Sequence, residues 1–493
     1  MDLVVVALYM AAMIAIGWFA KRRANTESDY LVAGRRLGPM LYAGTMAALV
    51  MGGGATLGGI GLGYQHGLAG AWLVFSMASG VALISLVLAP LINRLRVYTV
   101  SQMLELRYGG GHALISGLVM LSYTLMIAVT STIAYGAIFS VLFDIGKVPA
   151  ILIGSSVVIL YSALGGMWSI TLTDFVQFLI KTVSIFFILL PVALWRAGGF
   201  AGLTAHLPAE AFSFTKIGGA SIFTYIVLYV PTMVIGQDLW QRVFTARNDR
   251  IARWAGVGAA AYCFLYGLAG ALIGMAAKVL LPDISGRDQV YTQIVRHLLP
   301  QGLSGLVVAG ALAAIMSTSS GALIATATVA KEDILRALRR RPRVDAAGDA
   351  SLGDTSPGGT LPDRATQAHE INSSRKLVVI FGIVMAAIAC ALQDVVAALT
   401  IASDILVGGL LVAVIGGLVW KRATAFGALA SIISGTAVTL GTMFVMRDIF
   451  ANLPIYLGLA ASLMFFVVCS LIGAPTSATV LREWSARVSG ESA

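Results

Sequence analysis

Long apolar runs, separated by short polar and basic segments, dominate this chain of 493 residues. A helix of about 20 apolar residues is long enough to cross a bilayer. The pattern contains thirteen such runs, which predict thirteen membrane-spanning helices. Their approximate bounds are 3–20, 38–63, 69–92, 113–142, 148–165, 174–195, 221–241, 254–281, 303–330, 376–393, 395–419, 424–446 and 453–473. The predicted fold class is an all-α polytopic membrane protein.

Composition and charge agree with this interpretation. Hydrophobic residues make up 58% of the chain and charged residues 11%, whereas a soluble protein carries about 25% charged residues. The net charge of +10 comes from Lys and Arg in alternate loops, for example at 21–23 and 242–253. Because cytoplasmic loops hold the excess of basic residues, the N-terminus is predicted outside and the C-terminus inside. The net positive charge therefore reflects membrane topology and gives no reason to expect a nucleic-acid partner.

One predicted cytoplasmic loop differs from the others. Residues 339–374 are rich in Gly, Asp, Ser, Thr and Pro and contain almost no large apolar side chains. Such a segment cannot bury enough apolar surface to fold alone. We predict a disordered linker there.

Two predicted spans are interrupted. The second contains Gly52, Gly53 and Gly54, and each Gly costs a helix about 1 kcal/mol relative to Ala. The seventh, five spans later, contains Pro231 and Gly236, and Pro removes a helix hydrogen bond. Interrupted spans at corresponding positions indicate the inverted repeat of a secondary transporter, with the site between them. Taken alone, the glycines of the second span could equally serve close helix packing.

The ninth span carries a polar face. Ala314, Ser317, Thr318 and Gly321 follow one another at helical spacing, so two hydroxyls and two small residues share one side. Oxygen atoms beside small residues suit a hard cation such as sodium. Alternatively, the hydroxyls bond to carbonyls one turn earlier and the small residues pack helices together. The spacing leaves both interpretations open.

Charged side chains within the spans are candidates for function. A carboxylate in a membrane helix is a functional candidate by default, and Asp174 lies in the sixth span with Gln177 and Lys181 on its face. Thr173 or Asp174 could instead cap the start of that helix. Asp404, in the eleventh span, could face a cationic substrate, a proton path or a structural partner.

Three motifs carry a family resemblance: Gly165-Gly166 followed by Thr173-Asp174 and Gln177, then Gln237-Asp-Leu-Trp-Gln241-Arg242, then Ala313-Ala-Ile-Met-Ser317-Thr318. Over about residues 1–473 the chain resembles the sodium:solute symporter family. The resemblance implies a leucine-transporter-like fold of two inverted five-helix repeats. The implied parts are a leading helix and first cytoplasmic loop (1–37), the first repeat (38–196), the second repeat (221–419, including the linker), and two trailing helices with a cytoplasmic tail (420–493).

The resemblance also implies ion-binding residues. A sodium site would use the carbonyls of Ala48, Met51 and Ala314 and the hydroxyls of Ser317 and Thr318. Asp174, with Ser320, is a possible second site for an ion or a proton. Family members with a second sodium site carry a hydroxyl at the position of Gly321, so we expect one sodium ion per transport cycle.

The implied function is sodium-coupled import of a small polar organic solute by alternating access in the plasma membrane. We expect no enzymatic activity, no cofactor besides Na+ as the coupling ion, and a monomer in the lipid bilayer. The glycines at a half-helix N-terminus suit an anionic group, which favours a carboxylate or an amino acid. The substrate-contact candidates are Gly52, Gly53, Gly54, Tyr229, Thr232 and Asp404.

Three alternatives remain open. Asp404 with the aromatic residues Tyr64, Trp72 and Tyr229 could bind a quaternary amine such as choline. A proton-coupled carrier of the same fold would work through Asp174 or Asp404. A membrane sensor that does not transport is disfavoured, because no histidine kinase motif or other soluble output domain is visible.

Overall fold

The computed structural model describes residues 1–339, 364–392, 394–447 and 451–490. Helices make up most of this part of the chain, which contains no β-strand beyond an isolated bridge between Leu37 and Ala246. The sequence explains this composition. In a bilayer a helix satisfies its own backbone hydrogen bonds, so an apolar run has few other stable forms. The predicted all-helical polytopic class is confirmed.

Eleven α-helices form the first part of the chain. They are α1 (Asp2–Ala20), α2 (Glu27–Val32), α3 (Pro39–Val50), α4 (Gly59–His66), α5 (Trp72–Leu83), α6 (Ala89–Leu95), α7 (Val100–Tyr108), α8 (Ala113–Phe143), α9 (Lys147–Thr182), α10 (Leu190–Arg196) and α11 (Gly199–His206). Three stretches here have wider π-helical turns and continue neighbouring helices. They are Gly54–Gly58, Ile84–Leu88 and Val183–Leu189.

Eleven further α-helices follow in the described residues. They are α12 (Gly218–Ile235), α13 (Gln237–Val243), α14 (Asp249–Leu280), α15 (Val290–Leu298), α16 (Leu303–Val329), α17 (Arg336–Arg339), α18 (Arg364–Ala391), α19 (Val395–Val419), α20 (Ala425–Met446), α21 (Leu453–Ile472) and α22 (Ala478–Ser489). A fourth π-helical stretch, Ala330–Leu335, joins α16 to α17.

Eleven helical stretches in the described residues are long and apolar enough to cross a membrane. Two of them, Gly54–Leu95 with 42 residues and Lys147–Arg196 with 50 residues, are about twice the length of one crossing. Each contains parts of two predicted spans, and this accounts for the difference from thirteen. The number of crossings and the sides on which the ends lie stay predictions.

The predicted break in the second span is confirmed. Helix α3 ends at Val50, Met51 has non-helical dihedral angles (φ −87°, ψ 62°), and the helix resumes near Gly54. A side chain at Gly52 would not fit, because its Cβ would lie 2.2 Å from Thr318 Oγ1. The break therefore packs directly against Thr318 of α16.

The seventh predicted span is also broken, and the break falls at Gly236. Helix α12 continues through Pro231 to Ile235, and Gly236 (ψ 129°) separates it from α13. Both interruptions expected from the sequence therefore occur.

Gly166 turns the chain between the fifth and sixth predicted spans. Its φ of 55° suits glycine, and a Cβ there would lie 2.4 Å from the Tyr30 carbonyl oxygen. The next helical segment starts directly after it, so Asp174 lies about two turns inside a helix. The Thr173 hydroxyl donates to the carbonyl of Ser169. The predicted capping role is therefore wrong for both Thr173 and Asp174.

The prediction of a disordered linker is wrong for Arg339, which ends α17, and for residues 364–374. Residues 364–374 belong to α18, and residues 340–363 lie outside the described part of the chain. An ion pair explains the helix despite its polar composition: Lys331 Nζ lies 2.6 Å from a carboxylate oxygen of Glu370. Arg375 also donates to the carbonyls of Ala163 and Leu164 at the end of the fifth predicted span.

Helix α16 lies at the centre of the molecule. Nearly all of its residues are buried, and it contacts α1, α3, α8 and α9. A helix surrounded by neighbours needs small side chains for close approach, which explains its composition of Ala, Gly, Ser and Thr. The polar face of the ninth predicted span is therefore directed at other helices and is not exposed to lipid.

Candidate functional site

The hydroxyls of α16 meet the carbonyls at the break of α3. Ser317 Oγ donates to the Ala48 carbonyl at 2.8 Å, and Thr318 Oγ1 donates to the Leu49 carbonyl at 2.5 Å. The last carbonyls of a helix lack partners within it, so these hydroxyls satisfy groups that the break leaves free. Ser317 also donates to the Ala314 carbonyl at 3.0 Å. The five residues expected at a sodium site thus lie together.

Lys181 reaches the same cluster of carbonyls. Its Nζ lies 3.0 Å from the Ala48 oxygen, 3.3 Å from the Met51 oxygen and 3.4 Å from the Ala47 oxygen. The side chain is fully buried. Among the ion pairs within 4.0 Å in the described residues, none involves Lys181. The Lys181 amino group therefore contacts two of the predicted sodium ligands.

Asp174 is paired with a second buried cation. Its Oδ2 accepts from Arg242 Nη2 at 3.0 Å and from Thr45 Oγ1 at 2.5 Å, and both ion-pair side chains have 0% exposure. The guanidinium lies against Gly321, where a Cβ would be 2.6 Å from Arg242 Nη2. Ser320 donates to the Ser317 carbonyl on its own helix. The structure therefore pairs Asp174 with Arg242 and leaves Ser320 bonded within α16.

A cavity opens beside the break. The residues that line it include Gly52, Gly54, Tyr123, Ser131, Asp238 and Thr318. The Tyr123 hydroxyl donates to Asp238 Oδ1 at 3.0 Å. Gly53 packs behind this surface, with its Cβ position 3.1 Å from Ala134 Cβ. Both interrupted helices, α3 and the pair α12 and α13, therefore border one space, as an inverted repeat requires.

Sequence reasoning missed Asp238 as a cavity residue. It lies two residues after the break at Gly236, within one of the quoted motifs, and an acid next to a broken helix could have been noticed. The sequence places Lys181 on the face of Asp174, but that position alone predicts no role for it. Its residence in an apolar span was the available signal.

The other predicted substrate contacts lie away from the cavity lining. The Tyr229 hydroxyl is 3.1 Å from Thr400 Oγ1, and Thr232 donates to the Leu228 carbonyl within its own helix. Asp404 is buried in α19, and no hydrogen bond or ion pair joins its carboxylate to another described side chain or carbonyl. The structure therefore brings together Gly52 and Gly54 but not Tyr229, Thr232 or Asp404.

The aromatic residues considered for a quaternary amine are engaged separately. The Tyr64 hydroxyl donates to the Leu281 carbonyl, and Lys278 Nζ lies 4.6 Å from the centre of the Tyr64 ring. Trp72 Nε1 donates to the Phe214 carbonyl. Tyr64 therefore already faces a cation of the chain, and no box around Asp404 is formed.

Comparison with known proteins gives three matches in agreement. The model of the sodium:solute symporter family matches residues 30–346, more than half of the chain. The chain is 27% identical to the high-affinity proline transporter PutP of Bacillus subtilis (strain 168), over 94% of this chain and 97% of that protein. It is 25% identical to the sodium/proline symporter of Staphylococcus aureus (strain USA300), over 89% and 85%.

A solved structure shows the same fold. The chain matches a Na+-coupled sialic acid symporter with a TM-score of 0.79 and 18% identity, over 97% of this chain and 98% of that one. The likeness establishes the leucine-transporter-like fold that the family resemblance implied.

Proposed function

The chain belongs to the sodium:solute symporter family, and we propose that it imports a small amino acid, with proline as the first candidate. It is a multi-pass plasma-membrane protein whose function, at the level of the family, is sodium-coupled solute symport. Members of the family are transporters and not enzymes, and membership implies Na+ as the coupling ion. The proline transporters among its relatives support the choice of substrate class.

The cavity beside the break is the observation that carries this proposal. Free N–H groups and the dipole at a half-helix N-terminus favour an anion, and Gly52 and Gly54 line the cavity there. On another wall lies the carboxylate of Asp238. The cavity is narrow, with a volume of about 30 Å³, and it would have to widen to admit a solute. An amino acid carries both charges, so in the widened cavity its carboxylate would lie at the glycines and its ammonium group would face Asp238.

Alternating access would use the two repeats. We propose thirteen crossings with the N-terminus outside and the C-terminus inside, built as repeats 38–196 and 221–419, with 1–37 leading and 420–493 trailing. Each repeat contributes one broken helix to the cavity. The cation site formed by Ala48, Met51, Ala314, Ser317 and Thr318 would hold the second span against the ninth when the solute is bound. Because the candidate residues come from one chain, we propose a monomer as the working unit.

Uptake into proteoliposomes tests the substrate class. The panel contains proline, other amino acids, carboxylates, sugars and choline, each with and without an inward sodium gradient. We expect proline to accumulate, and we expect Asp238→Asn to raise the KM for proline at least about tenfold, since a charge-assisted hydrogen bond to the ammonium group is weakened. Asp404→Asn is the matched control and should leave that KM unchanged.

The panel also separates the alternatives. Tetrahydrofuran-2-carboxylate has the shape of proline without its ammonium group, so it should compete poorly with proline in the wild type. Equal competition would contradict the role of Asp238. Accumulation of choline in place of proline would establish the quaternary-amine alternative, and uptake driven by a pH gradient with no effect of sodium would establish the proton-coupled one.

A further inference from the structure

We propose that the ammonium group of Lys181 is the resident cation at the break of α3 and stands there in place of a sodium ion. The inference rests on the cation site proposed above, and it identifies the cation at that site as the Lys181 ammonium group. Lys181 Nζ lies 3.0 Å from the Ala48 oxygen and 3.3 Å from the Met51 oxygen. These are two of the three carbonyls expected to bind sodium.

The number of donors matches the number of acceptors. An ammonium group has three N–H donors, and three carbonyl oxygens, those of Ala47, Ala48 and Met51, surround Nζ within 3.4 Å. A neutral amine would offer two donors for the same three oxygens. Carbonyls freed by a helix break are also the ligands that a bound cation would use. The site therefore supplies what a buried ammonium group needs without a carboxylate.

A sodium ion does not fit beside this group. It would have to contact the Ala48 and Met51 oxygens directly, which would place it a few ångströms from Nζ. Two positive charges at that distance repel strongly where water is excluded. The Ala48 carbonyl oxygen already has two partners within the chain, the Ser317 hydroxyl at 2.8 Å and Lys181 Nζ at 3.0 Å. The atoms at the break are thus satisfied by groups of the chain itself.

Packing holds Lys181 in this position. Helix α9 lies close to α16 at Gly310, where an added Cβ would be 2.3 Å from Ser184 Oγ and 3.6 Å from Lys181 Cα. Because Gly310 has no side chain, α9 can lie close to α16. This close packing brings Lys181 within reach of the break. The possible second ion site at Asp174 is comparable. There Arg242 pairs with the Asp174 carboxylate beside Gly321. A basic side chain therefore lies at each of the two positions considered for ions, and on this proposal the sodium ion that drives transport binds at another position.

Thermal unfolding of the purified full-length carrier tests the proposal without any solute. The melting temperature is measured in sodium chloride and in potassium chloride of equal concentration. The variants are Lys181→Ala, Ser317→Ala and the combination of the two, with Lys278→Ala as a control that removes a lysine near Tyr64. Lys181→Met replaces Lys181→Ala if the smaller side chain prevents folding.

We expect Lys181→Ala to gain sodium-specific stabilisation of about 3 °C or more over the wild type, as for a site that now binds its ion. Adding Ser317→Ala should remove that gain, and Lys278→Ala should behave as the wild type. In the wild type, Ser317→Ala should not change the effect of sodium. The proposal is overturned if Ser317→Ala abolishes a sodium effect in the wild type, or if removal of Lys181 produces no gain.

Uptake in the same preparation keeps the two proposals apart. If no amino acid is transported, the proposed substrate class fails, and the melting temperatures still decide the role of Lys181. If proline is transported and wild-type stabilisation by sodium depends on Ser317, the substrate class stands and the lysine proposal fails.

Discussion

Two buried cations lie near the broken helix, and their partners differ. Arg242, on α13, is paired with the carboxylate of Asp174 at 3.0 Å, and both side chains have 0% exposure. Lys181, on α9, is equally buried but faces three backbone carbonyls. Arg242 has a carboxylate as its direct partner, whereas the groups within hydrogen-bonding distance of Lys181 are carbonyl dipoles.

The difference separates the structural role expected for Arg242 from the role at the cation site that we propose for Lys181. The carboxylate of Asp174 lies on the same helix as Lys181, yet it is directed to Arg242 and joins α9 to α13. Of the carbonyls that contact Lys181, that of Ala47 still accepts the Met51 N–H at 3.2 Å, whereas those of Ala48 and Met51 lie at the end of α3 at Val50 and in the break itself. The contact of Arg242 with Asp174 is formed by two side chains. The contact of Lys181 is formed with backbone carbonyls, so it requires the backbone conformation at the break. A rearrangement of the break during transport would therefore release Lys181 and leave Arg242 paired.

The largest expected effect comes from separating the ion pair. Asp174→Leu should destabilise the protein by about 3–5 kcal/mol, because Arg242 would stay buried without a counter-charge. Thermal or chemical unfolding in detergent measures the loss. The double variant Asp174→Leu with Arg242→Met should recover much of it, since both charges are then gone. If the double variant is as unstable as the single one, the pair does not act as a unit.

A smaller effect is expected where the break meets α16. Gly52→Ala should destabilise by about 1–3 kcal/mol through overpacking, because its Cβ would lie 2.2 Å from Thr318 Oγ1. The same shift would move the carbonyls that hold Lys181, so proline uptake should fall with stability. Unfolding and uptake are measured on the same preparation.

Gly270→Ala in α14 is the matched control for this variant. An added Cβ there would meet Ile60 Cγ1 at an ordinary 3.5 Å, and a helix favours Ala over Gly. Equal behaviour of the two variants would show that the approach of α3 to α16 is not tight.

The architecture followed from the sequence where local chemistry decides it. The glycines at 52–54 and Gly236 mark helix breaks that exist, and the spacing of Ser317 and Thr318 predicted one polar face that does meet α3. Composition failed for 364–374, because the helix there is held by Lys331, far along the chain. The composition of residues 364–374 alone cannot predict a contact with Lys331.

The charges at the site needed the tertiary structure. The sequence places Lys181 two turns after Asp174 on one face, but it does not show that these side chains diverge to different partners. Arg242 reaches Asp174 across 68 positions of the chain, and Asp238 joins the cavity only because the two broken helices meet. The arrangement of the helices decides which helix a long side chain reaches. That arrangement cannot be read from the spacing of residues in the sequence.

The smallest expected effect completes the comparison of the two cations. Lys181→Met should change the stability by about 1 kcal/mol or less, although it removes a fully buried charge. The variant loses hydrogen bonds to the carbonyls at the break, but it also removes the cost of burying a charge without a carboxylate, and apolar replacements of buried charges are often nearly neutral. Unfolding measured beside Asp174→Leu gives the contrast directly. A loss as large as that of Asp174→Leu would show that Lys181 is as structural as Arg242, and that the break of α3 requires the ammonium group in order to fold.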